Sequence, residues 1–205
     1  MFIIGLTGGI ATGKSTVVEI LSRKGAYIID ADQLAREVVE PNQSAWREIV
    51  SWLGDSVLLP DQKLDRAKIA ELVFGDPQKL KTLNAIIHPW VGARILELTK
   101  EIEQKEPDAV IVYDIPLLIE AGMQEMVDLI LLVYAPRELQ LKRLEERDGL
   151  NPEEAELRLA AQLAIDEKRK YAHQVIDNSG SLAETEKQVD RFWSNLDSLK
   201  EAEKK

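Results

Sequence analysis

The sequence has no cysteine, which rules out disulfides and thiolate metal sites and agrees with a reducing interior, the cytoplasm being the default location. Its two histidines, His88 and His173, give a histidine metal centre little support. No apolar stretch approaches the roughly 20 residues that span a bilayer, and the chain enters its first apolar run without the basic flank or cleavage pattern of a signal peptide. Positive charge is also scarce. The 26 Lys and Arg residues stand against 36 Asp and Glu, and the net charge of −10 argues against a general nucleic-acid binder, whose affinity comes from many Lys and Arg contacts to phosphate. It does not argue against nucleotide binding, because with a screening length of about 8 Å the groups lining a pocket outweigh the molecular sum. Neither a membrane nor a nucleic acid is expected as a partner. No internal repeat or low-complexity tract interrupts the 205 residues, and 45% hydrophobic with 30% charged residues describe a soluble globular chain.

What is present is a phosphate-binding loop. Gly8-Gly9-Ile10-Ala11-Thr12-Gly13-Lys14-Ser15 has the spacing G-x-x-x-x-G-K-S. In such a loop, glycines let backbone N–H groups close around a polyphosphate, the lysine reaches the outer phosphates and the Ser15 hydroxyl is a Mg²⁺ ligand. The context fits: Phe2 to Leu6 reads as a buried strand, Val17, Ile20 and Leu21 recur at helical spacing, and Gly25 stands where that helix would end. The helix N-terminus then points free N–H groups and partial positive charge at a bound anion. Gly9, Ile10, Ala11, Thr12, Gly13, Lys14, Ser15 and Thr16 are the expected ATP contacts.

Four more short apolar segments read as strands, Ala26 to Ile29, Ala109 to Tyr113, Leu129 to Tyr134 and Gln174 to Ile176, with helices between them. The expectation is an α/β fold with a five-stranded parallel sheet and ligands at the carboxyl ends of the strands. Asp32 to Glu106 covers about seventy-five residues, too long for one crossover. A helical insert over 34–106 is expected there, with helices Gln33–Glu40, Ser44–Trp52, Arg66–Phe74, Pro77–Ile87 and Val91–Gln104 and a bend at His88-Pro89. Between the fourth and fifth strands a helical hairpin over 136–171 is expected, ended once by Asp148-Gly149 and reopened by Asn151 as cap, Pro152 and Glu154. The nucleotide core is then 1–33, 107–135 and 172–205, and Glu201 to Lys205 should be a fraying helix end. Of the four tryptophans, Trp46, Trp52 and Trp90 fall in the insert and Trp193 does not; they read mostly as core.

Several residues suit phosphoryl transfer. Asp30-Ala31-Asp32-Gln33 admits two frames: either Asp30 caps a helix and Asp32 is free to accept a proton from an attacking hydroxyl, or Asp32 is itself the cap. Asp114 ends an apolar strand as a Walker B aspartate does, where it would hold Mg²⁺ directly or through water. Glu120 could reach the same cleft or simply serve a helix turn. Arg143 and Arg147, four apart, repel unless an anion lies between them, whereas Lys142 has Glu138 and Glu146 at favourable spacing. That contrast leaves the two arginines free to grip phosphate, or else they are ordinary surface residues; Arg158 and Gln162 form a similar pair. The N-K-x-D segment by which a GTPase reads its base is absent, and motor and transporter ATPases are usually larger, so a small-molecule kinase is favoured.

At this point the chain resembles the dephospho-coenzyme A kinase family. The likeness runs from Ile4-Gly5-Leu6-Thr7-Gly8-Gly9-Ile10 and Gly13-Lys14-Ser15-Thr16 through Ile29-Asp30-Ala31-Asp32 and Leu83-Asn84-Ala85-Ile86-Ile87-His88-Pro89. It continues in Asp114-Ile115-Pro116-Leu117-Leu118-Ile119-Glu120, Arg143-Leu144-Glu145-Glu146-Arg147-Asp148, Arg158 with Gln162, and Asp177-Asn178-Ser179-Gly180. The resemblance implies a P-loop NTPase-type sheet of order 2-3-1-4-5 with helices on both faces, a helical substrate-binding insert and a helical lid. It implies transfer of the ATP γ-phosphate, with Mg²⁺, to the 3′-hydroxyl of dephospho-coenzyme A. By the same likeness Asp32 lies at the acceptor hydroxyl, Arg143 and Arg147 belong to the lid, and Asn178 approaches the adenine. His88 and the segment Leu117 to Glu120 look like part of the acceptor site. Ala11-Thr12 departs from the Gly-Ser more usual in the family. Competing readings are a kinase of a nucleoside monophosphate or small hydroxy acid, and a protein that holds nucleotide without turnover. Oligomeric state stays open, with a monomer as default.

Overall fold

The computed structural model describes residues 1–202. Five strands, β1 (Phe2–Gly8), β2 (Tyr27–Asp30), β3 (Val110–Asp114), β4 (Leu129–Tyr134) and β5 (Gln174–Asp177), form one parallel sheet in the order β2-β3-β1-β4-β5. This is the order implied by the family resemblance, and the strand limits differ from the sequence expectation by a residue or two. In the central register, Ile4 pairs with Val112 on one side and Leu129 on the other. A parallel sheet must be covered on both faces, and the near-continuous apolar spelling of β1, β3 and β4 reflects that burial.

The chain forms two compact units, Met1–Ile29 with Ile102–Lys205, and Asp30–Glu101. In the first, α1 (Lys14–Arg23) buries Val17, Ile20 and Leu21, the residues whose spacing predicts it. They join Phe2, Ile4 and Leu6 of β1, Leu129, Leu131 and Val133 of β4, and Val189 and Phe192 of α9 (Leu182–Ser194) in one core. The segment after β4 folds as α6 (Arg137–Asp148), α7 (Pro152–Ala160) and α8 (Ile165–Arg169). Gly149 closes α6 at φ +66°, and Asn151 opens α7 with the expected reciprocal cap, its Oδ1 accepting from Glu154 N–H at 2.9 Å while Glu154 accepts from Asn151 N–H at 3.1 Å. The last helix, α10, is Leu196–Ala202; of the end expected to fray, residues 203–205 lie outside the described residues. No described helix is long and apolar enough to cross a membrane.

The second unit contains α2 (Ala31–Glu37), α3 (Ser44–Leu53), a 3₁₀ turn at Asp55–Val57, α4 (Arg66–Phe74) and α5 (Pro77–Lys105), the last extending into the first unit. Its core is Ile49, Val57, Leu64, Ile69 and Val73, with Trp46 and Trp52 packed against it. One expectation fails here. The bend at His88-Pro89 is absent, and α5 runs unbroken through Pro89. An interior proline removes one backbone donor and crowds the preceding turn, at a cost of about 3 kcal/mol. Apolar burial on both sides offsets it: Leu83, Ile86 and Ile87 pack on the core before the proline, and Val91 and Ile95 are buried after it. Helix α2 also starts at Ala31 rather than Gln33, because Asp30 caps it.

Helix α9 opens with Ser181 N–H donating to Glu184 Oε2 at 2.7 Å and the Ser181 hydroxyl donating to the same oxygen at 2.8 Å. These bonds, the backbone one first, hold the Glu184 carboxyl below its ordinary 4.5. Its contribution to stability is therefore fully present above 4.5 and is lost as pH falls through the lowered folded value. Substituting Ser181→Ala should move the NMR titration midpoint of Glu184 up toward 4.5; an unchanged midpoint would contradict the assignment.

Candidate active site

The loop between β1 and α1 runs into a helix with Lys14 and Ser15 in its first turn, where N–H groups have no intrahelical acceptor and suit an anion. Two residues adopt left-handed backbone, Gly13 at φ +83° and Ala11 at φ +59°. Glycine adopts that conformation freely, whereas alanine does so at a cost of about 1–2 kcal/mol. With N–H groups turned inward, the carbonyls turn outward, and each finds a donor. Gly9 O accepts from Thr12 N–H at 3.3 Å and Thr12 Oγ1 at 2.9 Å. Ile10 O accepts from Gln140 Nε2 at 2.6 Å, Ala11 O from Arg143 Nη1 at 3.4 Å, and Thr12 O from Asn178 Nδ2 at 2.8 Å and Arg143 Nη1 at 3.4 Å. Gly13 O accepts from Thr16 N–H at 3.1 Å. The Ile10 N–H is itself engaged, donating to Gln162 Oε1 at 2.8 Å.

Beside the loop a cavity of about 640 Å³ is lined by Gly13, Ser15, Thr16, Arg143, Arg147, Asn178 and Leu182, among others. Lys14 Nζ forms an ion pair with Asp114 Oδ1 at the end of β3. Ser15 is exposed and Asp114 buried. Among the described residues no three His, Asp or Glu side chains gather as a metal cage. One hydroxyl and one carboxylate are nevertheless the hard oxygen donors that suit Mg²⁺, which keeps waters and takes its remaining ligands from substrate phosphates.

Arg143 lies half-buried and donates to backbone carbonyls, including Asn178 O at 2.8 Å. Arg147 is exposed and binds Asp148 through two bonds, at 2.7 and 3.0 Å, and Arg158 meets the same carboxylate at 3.0 Å. The Arg147 bond, with the charge of both arginines, lowers the Asp148 pKa, and the same bond with the Asp148 charge raises that of Arg147. Lys142 pairs with Glu146 at 3.9 Å, as its spacing predicts. The Asn178 side chain is spent on structure: its amide nitrogen holds Thr12 O while its oxygen accepts from the buried Thr185 hydroxyl at 2.7 Å. A Cβ on Gly13 would run into that amide, so this glycine is needed for space as well as for φ.

In the first unit Leu117 is 44% exposed, and Glu120 Oε1 accepts from Leu163 N–H at 3.1 Å and forms an ion pair with Lys168 at 2.9 Å. In the second unit Asp30 Oδ1 accepts from Gln33 N–H at 3.0 Å, which makes Asp30 the cap and releases Asp32 from that duty. Asp32 borders an apolar groove of about 380 Å³ formed by Val39, Ile49, Leu64, Ile69, Val73, Leu83 and Ile87, with Arg36 and Arg66 on its rim. His88 is exposed on α5 and does not line that groove. Trp90 is also exposed, with Nε1 donating to Glu48 at 2.9 Å.

Sequence reasoning misses Gln140, Lys168 and Thr185. The first two reach the loop from 130 and 160 residues away, across a sheet whose order no local spacing encodes. The signal for Lys168 and Thr185 is complete burial of a polar group, which only the fold reveals.

The family profile described as dephospho-CoA kinase matches residues 2–184. A dephospho-CoA kinase of Geobacter metallireducens is 52% identical over 194 residues, covering 94% of this chain and 96% of that protein. Two solved structures are similar: a protein of Thermus thermophilus, with TM-score 0.81, 36% identity and coverage of 95% and 97%, and a dephospho-CoA kinase of Campylobacter jejuni, with TM-score 0.72, 31% identity and coverage of 95% and 96%.

Replacing Thr185 by Val removes one hydroxyl at nearly constant volume and leaves the Asn178 amide oxygen buried without its donor. This should cost about 1–3 kcal/mol in urea unfolding and weaken ATP binding severalfold by calorimetry. Unchanged affinity would disconnect Thr185 from the loop.

Proposed function

The chain belongs to the dephospho-CoA kinase family, and from that premise we propose how its residues share the transfer of the ATP γ-phosphate to the 3′-hydroxyl of dephospho-coenzyme A, the final step of coenzyme A synthesis. The observation that carries this reading is the phosphate loop with Lys14 and Asp114 paired at its mouth. ATP lies with its outer phosphates over the N–H groups of Gly13 to Thr16. Lys14 leaves Asp114 for the phosphates when nucleotide binds. Ser15 and Asp114 would hold Mg²⁺, which would supply charge neutralisation at the outer phosphates.

The acceptor is bulky, with a long pantetheine arm whose methyl and methylene groups are apolar, and a pyrophosphate. The groove bordered by Asp32, Arg36 and Arg66 has both the apolar wall and the cations that such a molecule requires. Asp32, free of capping, orients the 3′-hydroxyl and takes its proton while the oxygen attacks the γ-phosphorus. The bond from that phosphorus to the β,γ-bridging oxygen breaks, and ADP leaves. Arg143 and Arg147 stabilise charge on the transferring group. His88 and Leu117 contact the acceptor, and Glu120 holds the Leu117 segment in place. In this scheme 34–106 holds the acceptor, 136–171 closes as a lid that excludes water, and 1–33, 107–135 and 172–205 hold the nucleotide. Asn178 serves ATP by fixing the loop. The reaction belongs in the cytoplasm, where a chain without cysteine meets ATP.

The reading is tested by ADP release with Mg·ATP across dephospho-coenzyme A, nucleoside monophosphates and small hydroxy acids. Turnover is expected with the first alone, giving a ribose 3′-phosphate; activity confined to another acceptor would overturn it. The Asp32→Asn variant should lose about 10²–10⁴ in kcat at saturating substrates with little change in stability. Near-normal turnover would remove Asp32 from the chemistry.

A further inference from the structure

Lys168 is the largest charged side chain fully enclosed among the described residues, 0% exposed on the short helix α8. Lysine is almost never buried this way unless paired, because an ammonium loses its hydration. An apolar side chain of the same volume would fill the space without that loss. What the ammonium adds is its donors and its charge. Nζ donates to Gly8 O at 3.4 Å and to Pro116 O at 2.9 Å, and it forms an ion pair with Glu120 Oε1 at 2.9 Å.

These partners lie on two separate stretches of chain, the end of β1 and the 114–120 segment, that the reaction has to keep in register with α8. Gly8 is the last residue of β1, where the phosphate loop begins. Pro116 follows Asp114 by two residues, and its carbonyl also accepts from Thr7 Oγ1 at 3.0 Å, tying it again to β1. Glu120 accepts from Leu163 N–H as well, next to Gln162, which holds the Ile10 N–H. One buried ammonium therefore joins the base of the loop, the segment behind Asp114 and the turn before α8.

We propose that Lys168 is a positioning residue for phosphoryl transfer, fixing the phosphate loop against the Asp114–Glu120 segment so that Lys14 and Asp114 face the same phosphates. The inference rests on the kinase reading above.

The test separates charge from volume. Lys168→Met, measured as the native protein, is expected to unfold cooperatively and to lose at least tenfold in kcat at saturating ATP and dephospho-coenzyme A, with a higher Kd for ATP. Because the chain has no cysteine, Lys168→Cys places a single thiol that can be alkylated in the unfolded chain and refolded beside a wild-type control. An S-aminoethyl group rebuilds the ammonium, and an S-propyl group fills the same space without charge. Recovery of most of the kcat by the aminoethyl form and not by the propyl form is the expected result. The proposal is overturned by wild-type kcat in Lys168→Met, by loss of its cooperative unfolding, or by equal recovery in the two alkylated forms. A wild type inactive on dephospho-coenzyme A would instead sink the functional reading. Lys168 would then be judged by the ATP Kd, which a raised value supports and an unchanged one overturns.

Discussion

A loop that binds phosphate through its N–H groups must turn its carbonyls away from the ligand, and every one of those carbonyls then needs a donor. This constraint organises much of the first unit. A buried carbonyl without a partner costs about 1–3 kcal/mol, and the six residues from Gly8 to Gly13, all buried or half-buried, carry six carbonyls to be met. Two are met within the loop and α1, at Gly9 and Gly13. The others draw on Gln140 and Arg143 of α6, Lys168 of α8 and Asn178 just beyond β5.

The consequence is that helices α6 to α8 are wired to the loop they stand beside. They hold Ile10 from both sides, Gln140 at its carbonyl and Gln162 at its N–H. Such preorganisation matters for catalysis because donors already in place do not have to reorganise as charge develops. It also gives Arg143 a double allegiance, to loop carbonyls in this structure and to phosphate in the proposed reaction. Arg147 is held by Asp148 in this structure and turns to phosphate in the proposed reaction.

The parts of this fold that local chemistry dictates were legible in the sequence. The phosphate loop follows from its glycines and lysine, the Asn151 cap from its neighbours, and the strands from apolar runs bounded by turn residues. The Asp30 frame was one of two that spelling allowed, and a single hydrogen bond to Gln33 decides it. Pro89 misled because the rule for proline is local, whereas the packing of Leu83 and Ile95 on either side of it is not. Lys168 and Thr185 stayed hidden for a related reason. Lysine spells a surface residue until the fold closes over it, and nothing near Thr185 in the chain signals that Asn178 needs its hydroxyl.

The central claim is that the phosphate loop is held in its binding shape by side chains from outside it, before any nucleotide arrives. Amide hydrogen exchange at Ile10 in the nucleotide-free protein tests this most directly. The account predicts strong protection in the wild type and its loss in Gln162→Ala, with the sheet amides unaffected. Exchange at the rate of an open loop in the wild type, with protection appearing only on addition of ATP, would contradict it.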